Sequence, residues 1–263
     1  MISIVVTVYN KEDFIQKTLN SILNQTIVLN EVIIVNDGST DKSLIIIDRM
    51  KLPSNFTVIS TENRGVSEAR NFGLKIIKQD YVYFVDGDDV LEPNALEIFS
   101  NTIKKSPDYS LYAANRKNEK GERKINNMPS KTFSFHQHLK HLIQFQNLCW
   151  TSAVVVNIRI ASDVQFNAEF SHGEDRDFFM NVLQMSPGYW INKIVATYIS
   201  DPIGLSAKPI SFEEDLYWKR IREHRQELSH HLYFYYYCLK YKTANIFNNL
   251  KHAQFRNALS WIK

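Results

Sequence analysis

Residues 81–93 read YVYFVDGDDVLEP. Five apolar and aromatic residues, Tyr81 to Val85, run straight into Asp86-Gly87-Asp88-Asp89. The run has the length and composition of a buried strand. Its end is unusual, because crowded carboxylates raise one another's pKa unless a cation sits among them. Mg²⁺ and Mn²⁺ take oxygen ligands, commonly one or two carboxylates with substrate phosphates completing the shell. Gly87 lets the backbone turn and approach a ligand. Asp and Gly are also ordinary turn residues, so the stretch alone reads equally as a metal site or as a turn with solvated aspartates.

Working outward, the same rhythm recurs. Residues 2–8 (ISIVVTV) and 32–35 (VIIV) are β-branched and apolar throughout, as strands buried on both faces are. Residues 56–59 (FTVI) supply another strand. Between them lie helical patterns: Ile15, Leu19, Ile22 and Leu23; residues 44–50; and residues 67–77, with a small-residue face at Ala69 and Gly73. Asn10 is a plausible N-cap for the first helix. Residues 94–103 follow the acidic stretch as a further helix. Strands alternating with helices predict an α/β fold with a parallel, doubly wound sheet, and ligands in such sheets bind beyond the carboxyl ends of the strands. Polar clusters stand at three of those ends: Tyr9-Asn10, Asp37-Gly38-Ser39 and Asp86-Gly87-Asp88-Asp89.

After residue 105 the alternation breaks. The pattern predicts strands over 110–114, 154–156 and 189–199, helices over 135–145 and 174–185, and a mobile polar loop over 116–131. The expected organisation is a ligand-binding half over 1–105, a second half of the same domain over 106–211, and a helical tail over 212–263.

Composition narrows the function. Of 263 residues, 44% are hydrophobic and 22% charged, and the net charge of +3 is too small to imply nucleic acid. From Leu216 to Lys263 there are 9 basic residues against 2 acidic, interleaved with aromatics such as 233–237 (YFYYY). Such a tail suits peripheral membrane contact, or packing and homodimerisation. No apolar run reaches the length of a membrane span, and no signal peptide is visible at the start of the sequence. Two distant cysteines, Cys149 and Cys238, point to a reducing, cytoplasmic setting.

Several residues carry chemistry beside the acidic stretch. Asp37 can accept a hydrogen bond from a base or ribose, or can close an Asx-turn or cap a helix. Tyr9 can stack on a base or pack at the rim. Residues 63–71 (NRGVSEARN) open a helix at Gly65 with Arg64 and Arg70 near one face, an arrangement that suits an anion. Ser171-His172-Gly173-Glu174 fits a capping box, which would account for Glu174 and leave Asp175 as a candidate base.

Together, residues 5–26 (VVTVYNKEDFIQKTLNSILNQT), VIIVNDGSTDKS, ENRGVSEARNFGL, YVYFVDGDDVLEPNAL and GEDRDFF resemble the family-2 glycosyltransferases of the GT-A fold. Order and spacing match, almost continuously over the first 100 residues. The resemblance implies a mostly parallel Rossmann-like sheet flanked by helices and an inverting transfer from a nucleotide sugar, a UDP-sugar, to a glycan or lipid-linked acceptor. It implies that Thr7, Tyr9, Asp37, Arg64, Gly65, Arg70, Asp86 and Gly87 line the donor site, that Asp88 holds Mn²⁺ or Mg²⁺, and that Asp175 is the base. It places Trp150, His172 and Glu174 on the acceptor side. It points to bacterial surface polysaccharide or lipopolysaccharide synthesis. One departure stands out: relatives often carry a basic residue before a Gly-Ser after the last strand, and residues 198–206 (YISDPIGLS) lack it.

Two other readings fit parts of the sequence. Asp86-x-Asp88-x-Val90 matches the nucleophile motif of haloacid-dehalogenase-like phosphatases, which normally lies on a first strand and needs a later acidic pair at a strand end. A non-catalytic glycan- or membrane-binding protein on the same scaffold is the other.

Overall fold

The computed structural model describes residues 1–123, 128–143, 146–170 and 172–201. The tail over 212–263, with its membrane or dimer reading, lies outside them. The strands are β1 (Ile2–Val8), β2 (Glu31–Asp37), β3 (Phe56–Thr61), β4 (Tyr81–Asp86), β5 (Val90–Leu91), β6 (Leu111–Asn118), β7 (Lys131–Phe133), β8 (Val154–Asn157) and β9 (Gly188–Tyr198). The helices are α1 (Ile15–Leu23), α2 (Ser43–Arg49), α3 (Val66–Ile76), α4 (Ala95–Lys105), α5 (Phe135–Ile143) and α6 (Glu174–Met185).

All nine strands belong to one sheet, in the order β3-β2-β1-β4-β8-β6-β9-β5, with β7 also on β9. The first four run parallel. At β8 the direction reverses, and only β6 and β9 are parallel beyond it. Alternation along β1 sorts the core into two layers. Ile2, Ile4, Val6 and Val8 pack with Ile15, Leu19 and Ile22 of α1 and Phe99 of α4. Val5 packs the other way, with Ala69 of α3 and Phe178, Phe179 and Val182 of α6. The small face of α3 is needed there: a Cβ on Gly73 would stand 2.4 Å from Cγ1 of Val5.

The strand expected over 56–59 is β3, half exposed at the sheet edge. Three expectations change. Asn10 does not cap α1; it has φ 52°, and its Oδ1 accepts from the backbone N–H of Thr40 at 2.8 Å, tying the β1 and β2 ends together. Residues 116–118 continue β6 instead of opening a polar loop, because they pair with β9 out to Asn118↔Tyr198. Glu174 does not belong to a capping box: it is the first residue of α6, the N-cap is Gly173 in the left-handed region, and no side chain caps the helix. No helix among the described residues is long and apolar enough to cross a membrane.

Candidate functional site

The polar clusters meet where the parallel strands end. Thr7 is paired with Asp86 across β1 and β4, and the N–H of Gly87 donates to the Thr7 carbonyl at 3.0 Å. A Cβ on Gly87 would lie 2.9 Å from that carbonyl oxygen, so only glycine lets the acidic turn close onto β1. Tyr9, just past β1, is 44% exposed; its ring is open to a ligand and not packed at the rim.

Asp37 ends β2 and is buried. Its two carboxylate oxygens accept from the backbone N–H groups of Arg64 and Gly65, each at 2.9 Å. Two N–H groups of this glycine turn are thus taken by the protein's own Asp37. The Arg64 side chain is 69% exposed and, among the described residues, pairs with Glu62. Arg70 is buried, with its guanidinium 2.7 Å from Asp86 and 2.9 Å from Glu174. It links β4 to the first turn of α6. Burial pushes the Glu174 carboxyl up, and Arg70 opposes that shift.

Asp175 follows Glu174 on α6, half-buried, with Oδ1 accepting from the N–H of Arg176 at 2.8 Å. His172 is half-buried just before the helix. Trp150 precedes a short 3₁₀ turn, Thr151–Ala153, whose Ser152 hydroxyl accepts from the N–H of Asp86 at 3.1 Å. This turn therefore fixes the acidic stretch from the second half of the sheet.

Three site residues were not identified from sequence. The ammonium of Lys11 lies 2.5 Å from Asp88 and 2.7 Å from Asp201. Burial alone would lower the Lys11 pKa, but the two carboxylates outweigh it and raise it. Arg116 stacks on Trp150, its guanidinium carbon 3.6 Å from the ring centroid. Lys11 follows the Tyr9-Asn10 cluster directly and was legible as a cation at a strand end; Asp201 and Arg116 carry no local signal.

The acidic stretch retains the strain expected of it. Burial, and then Asp86, push the Asp88 carboxyl up despite Lys11. Asp89 is pushed to about 7 by burial and by Asp86 and Asp88. Unmet negative charge on oxygen donors is what a hard divalent cation relieves. No three His, Cys, Asp or Glu side chains converge on one point among the described residues. A divalent cation here would be held by Asp88, would need substrate phosphate and water as its other ligands, and would have to displace Lys11 from Asp88.

The family profile described as Glycosyl transferase family 2 matches residues 3–161. Chondroitin synthase of Escherichia coli is 26% identical over 257 residues, 95% of this chain and 37% of that protein. The putative glycosyltransferase EpsH of Bacillus subtilis is 39% identical over 116 residues, 43% of this chain and 34% of that protein. The chain thus spans about a third of the length of these relatives. The crystal structure of S. aureus TarS 1-349 in complex with UDP-GlcNAc superimposes with a TM-score of 0.73 at 22% identity, covering 84% of this chain and 64% of that one. This likeness shows the fold, a mixed α/β sheet of the GT-A kind. The phosphatase reading ends here: the acidic strand is the fourth, not the first, and the later pair Glu174-Asp175 opens a helix instead of ending a strand. With more than half its length matched in one family profile, the chain belongs to glycosyl transferase family 2.

Proposed function

We propose that this chain transfers a sugar from a nucleoside diphosphate donor, a UDP-sugar, to a hydroxyl of a glycan or lipid-linked acceptor with inversion. The observation that carries the reading is the arrangement of Asp37, Asp86 and Asp88 at the ends of β2 and β4, the parallel strands that flank β1, joined through Arg70 to the helix turn bearing Asp175. In this reading Tyr9 stacks on the base, and Asp37, held rigid by two backbone N–H groups, accepts from it. Asp86 orients the ribose or sugar, itself fixed by Arg70 and Ser152. Asp88 holds Mn²⁺ or Mg²⁺, and the chemistry such a cation supplies when bound is neutralisation of charge on the departing diphosphate. Asp175 takes the proton from the attacking hydroxyl, so a single displacement suffices without a covalent nucleophile.

The relatives named as chondroitin synthase and EpsH support polysaccharide synthesis as the setting. The buried free thiol of Cys149 suits the reducing, cytoplasmic location the reading requires. Calorimetry of UDP with the full chain tests the donor site. Binding that weakens strongly in EDTA and in Asp88→Asn supports it, and full-strength binding without metal contradicts the role of Asp88.

A further inference from the structure

We propose that Arg116 recognises an oxyanion on the acceptor, a carboxylate or a phosphate carried by the sugar whose hydroxyl attacks. The inference rests on the transferase reading and deepens it by naming the class of acceptor.

Arg116 lies on β6, opposite Ala196 of β9, where the ladder shifts register twice, on either side of Asn115. Such bulges re-aim a side chain, and they recur beside active sites. Here the guanidinium lies against two rings, with its carbon 3.6 Å from the centroid of Trp150 and 4.4 Å from that of Tyr198. Trp150, expected on the acceptor side, carries Arg116 on its ring. The stacking orients the cation without using its N–H groups.

The contrast with the other two cations of the site is informative. Lys11 and Arg70 are each held by two carboxylates. The Arg116 guanidinium forms no ion pair and no hydrogen bond among the described residues. It is nonetheless partly withdrawn from water: burial lowers its pKa, and the groups that most strongly oppose this are Asp89, Tyr198, Asp175 and Asp86. A preoriented guanidinium with no hydrogen-bond partner or direct counter-ion among the described residues matches the fork geometry of a carboxylate or phosphate. Its position separates two sources of negative charge. Of the carboxylates around it, Asp89 acts most strongly and has no role in either ligand's site, Asp175 and Asp86 are those assigned to the base and the sugar, and Asp88, assigned to the diphosphate, is engaged by Lys11. An oxyanion elsewhere among these aspartates would be repelled, so Arg116 also fixes where the anion sits.

Calorimetry on the full chain, with and without UDP and Mn²⁺, tests this with D-glucuronate, glycerol 1-phosphate and neutral D-glucose as probes. The expected result is that at least one anion binds about tenfold tighter than glucose, as a charge-assisted bidentate contact supplies. Which anion does so identifies the source as carboxylate or phosphate. Arg116→Gln should lose the preference and Arg116→Lys keep part of it, both with wild-type UDP affinity. Equal binding of glucose, no binding of any probe, or a preference that survives in Arg116→Gln would overturn the proposal. Loss of UDP binding in Arg116→Gln would also overturn it, because the residue would then serve the donor side. Failure of UDP to bind the wild type would contradict the donor reading separately, since the anion titrations are also run without UDP.

Discussion

In the first half of the chain, β1 to β4 run parallel, and two cations near their ends, one half-buried and one buried, are held by carboxylates: Lys11 by Asp88 and Asp201, Arg70 by Asp86 and Glu174. In the second half the strands mostly run antiparallel, and Arg116 is held by aromatic faces instead. The difference teaches how one site can serve two ligands. The cations of the first half are neutralised partly from within it, by Asp88 and Asp86, and partly from the second half, by Asp201 and Glu174. The cation of the second half is oriented by two rings and has no ion pair among the described residues. Asp175 belongs to the second half, and Arg70 spans the boundary through Asp86 and Glu174.

Separating the halves should produce the largest effect. Asp175→Asn is expected to lower transfer by roughly 10²–10⁴-fold, the range for a lost general base, while UDP affinity stays at the wild-type value. Rates and calorimetry on the same preparation check this. Parallel loss of donor binding would show that the halves are not separable at this residue.

Breaking the link between them comes next. Arg70→Met leaves Asp86 and Glu174 without their shared counter-ion. Urea unfolding should show a loss of about 3 kcal/mol, toward the low end for a broken buried pair because Asp86 retains 32% side-chain exposure. Unchanged stability would mean that the two halves do not depend on this bridge.

A smaller effect is confined to the second half. Neither ring nitrogen of His138 on α5 has a hydrogen-bond partner among the described residues. Burial, with His141 and Arg176 nearby, pushes its pKa down to about 3. The folded-state pKa is below the unfolded value, so this stability is present above about pH 6.5 and is lost as pH falls, at about 1.4 kcal/mol per unit. Between pH 6.5 and 5 that is roughly 2 kcal/mol. His138→Leu should flatten this acid limb in urea titrations, and an unchanged slope would assign it to other groups.

The smallest effect is expected at Arg64, exposed beside Glu62. Arg64→Ala should change stability by less than about 0.5 kcal/mol and leave UDP affinity within about twofold. A tenfold loss of UDP affinity would restore Arg64 as a phosphate ligand.

The two halves also differed in legibility. β1, β2 and β4 are buried on both faces, so their apolar runs stood out, and the acids marked their ends. Glu174 opens α6 where the periodicity placed the helix. What the helix start could not reveal was that Glu174 turns to Arg70, 104 positions away in the chain. Arg116 was hidden for a related reason. Residues 116–118 are polar and precede a glycine, which locally reads as a loop; their strand character comes from pairing with β9, some eighty residues on. Asp37 looked like a base contact or a local cap, and only the fold brings Arg64 and Gly65 to its two oxygens.

The most direct test of the account is a screen of nucleotide sugars for metal-dependent release of the nucleoside diphosphate by the full chain, with Asp88→Asn beside the wild type. The account predicts that one or a few UDP-sugars turn over with Mn²⁺ or Mg²⁺, that EDTA stops the reaction, and that Asp88→Asn abolishes it. Turnover undiminished by EDTA and by Asp88→Asn, or no turnover or binding of any nucleotide sugar, would contradict it.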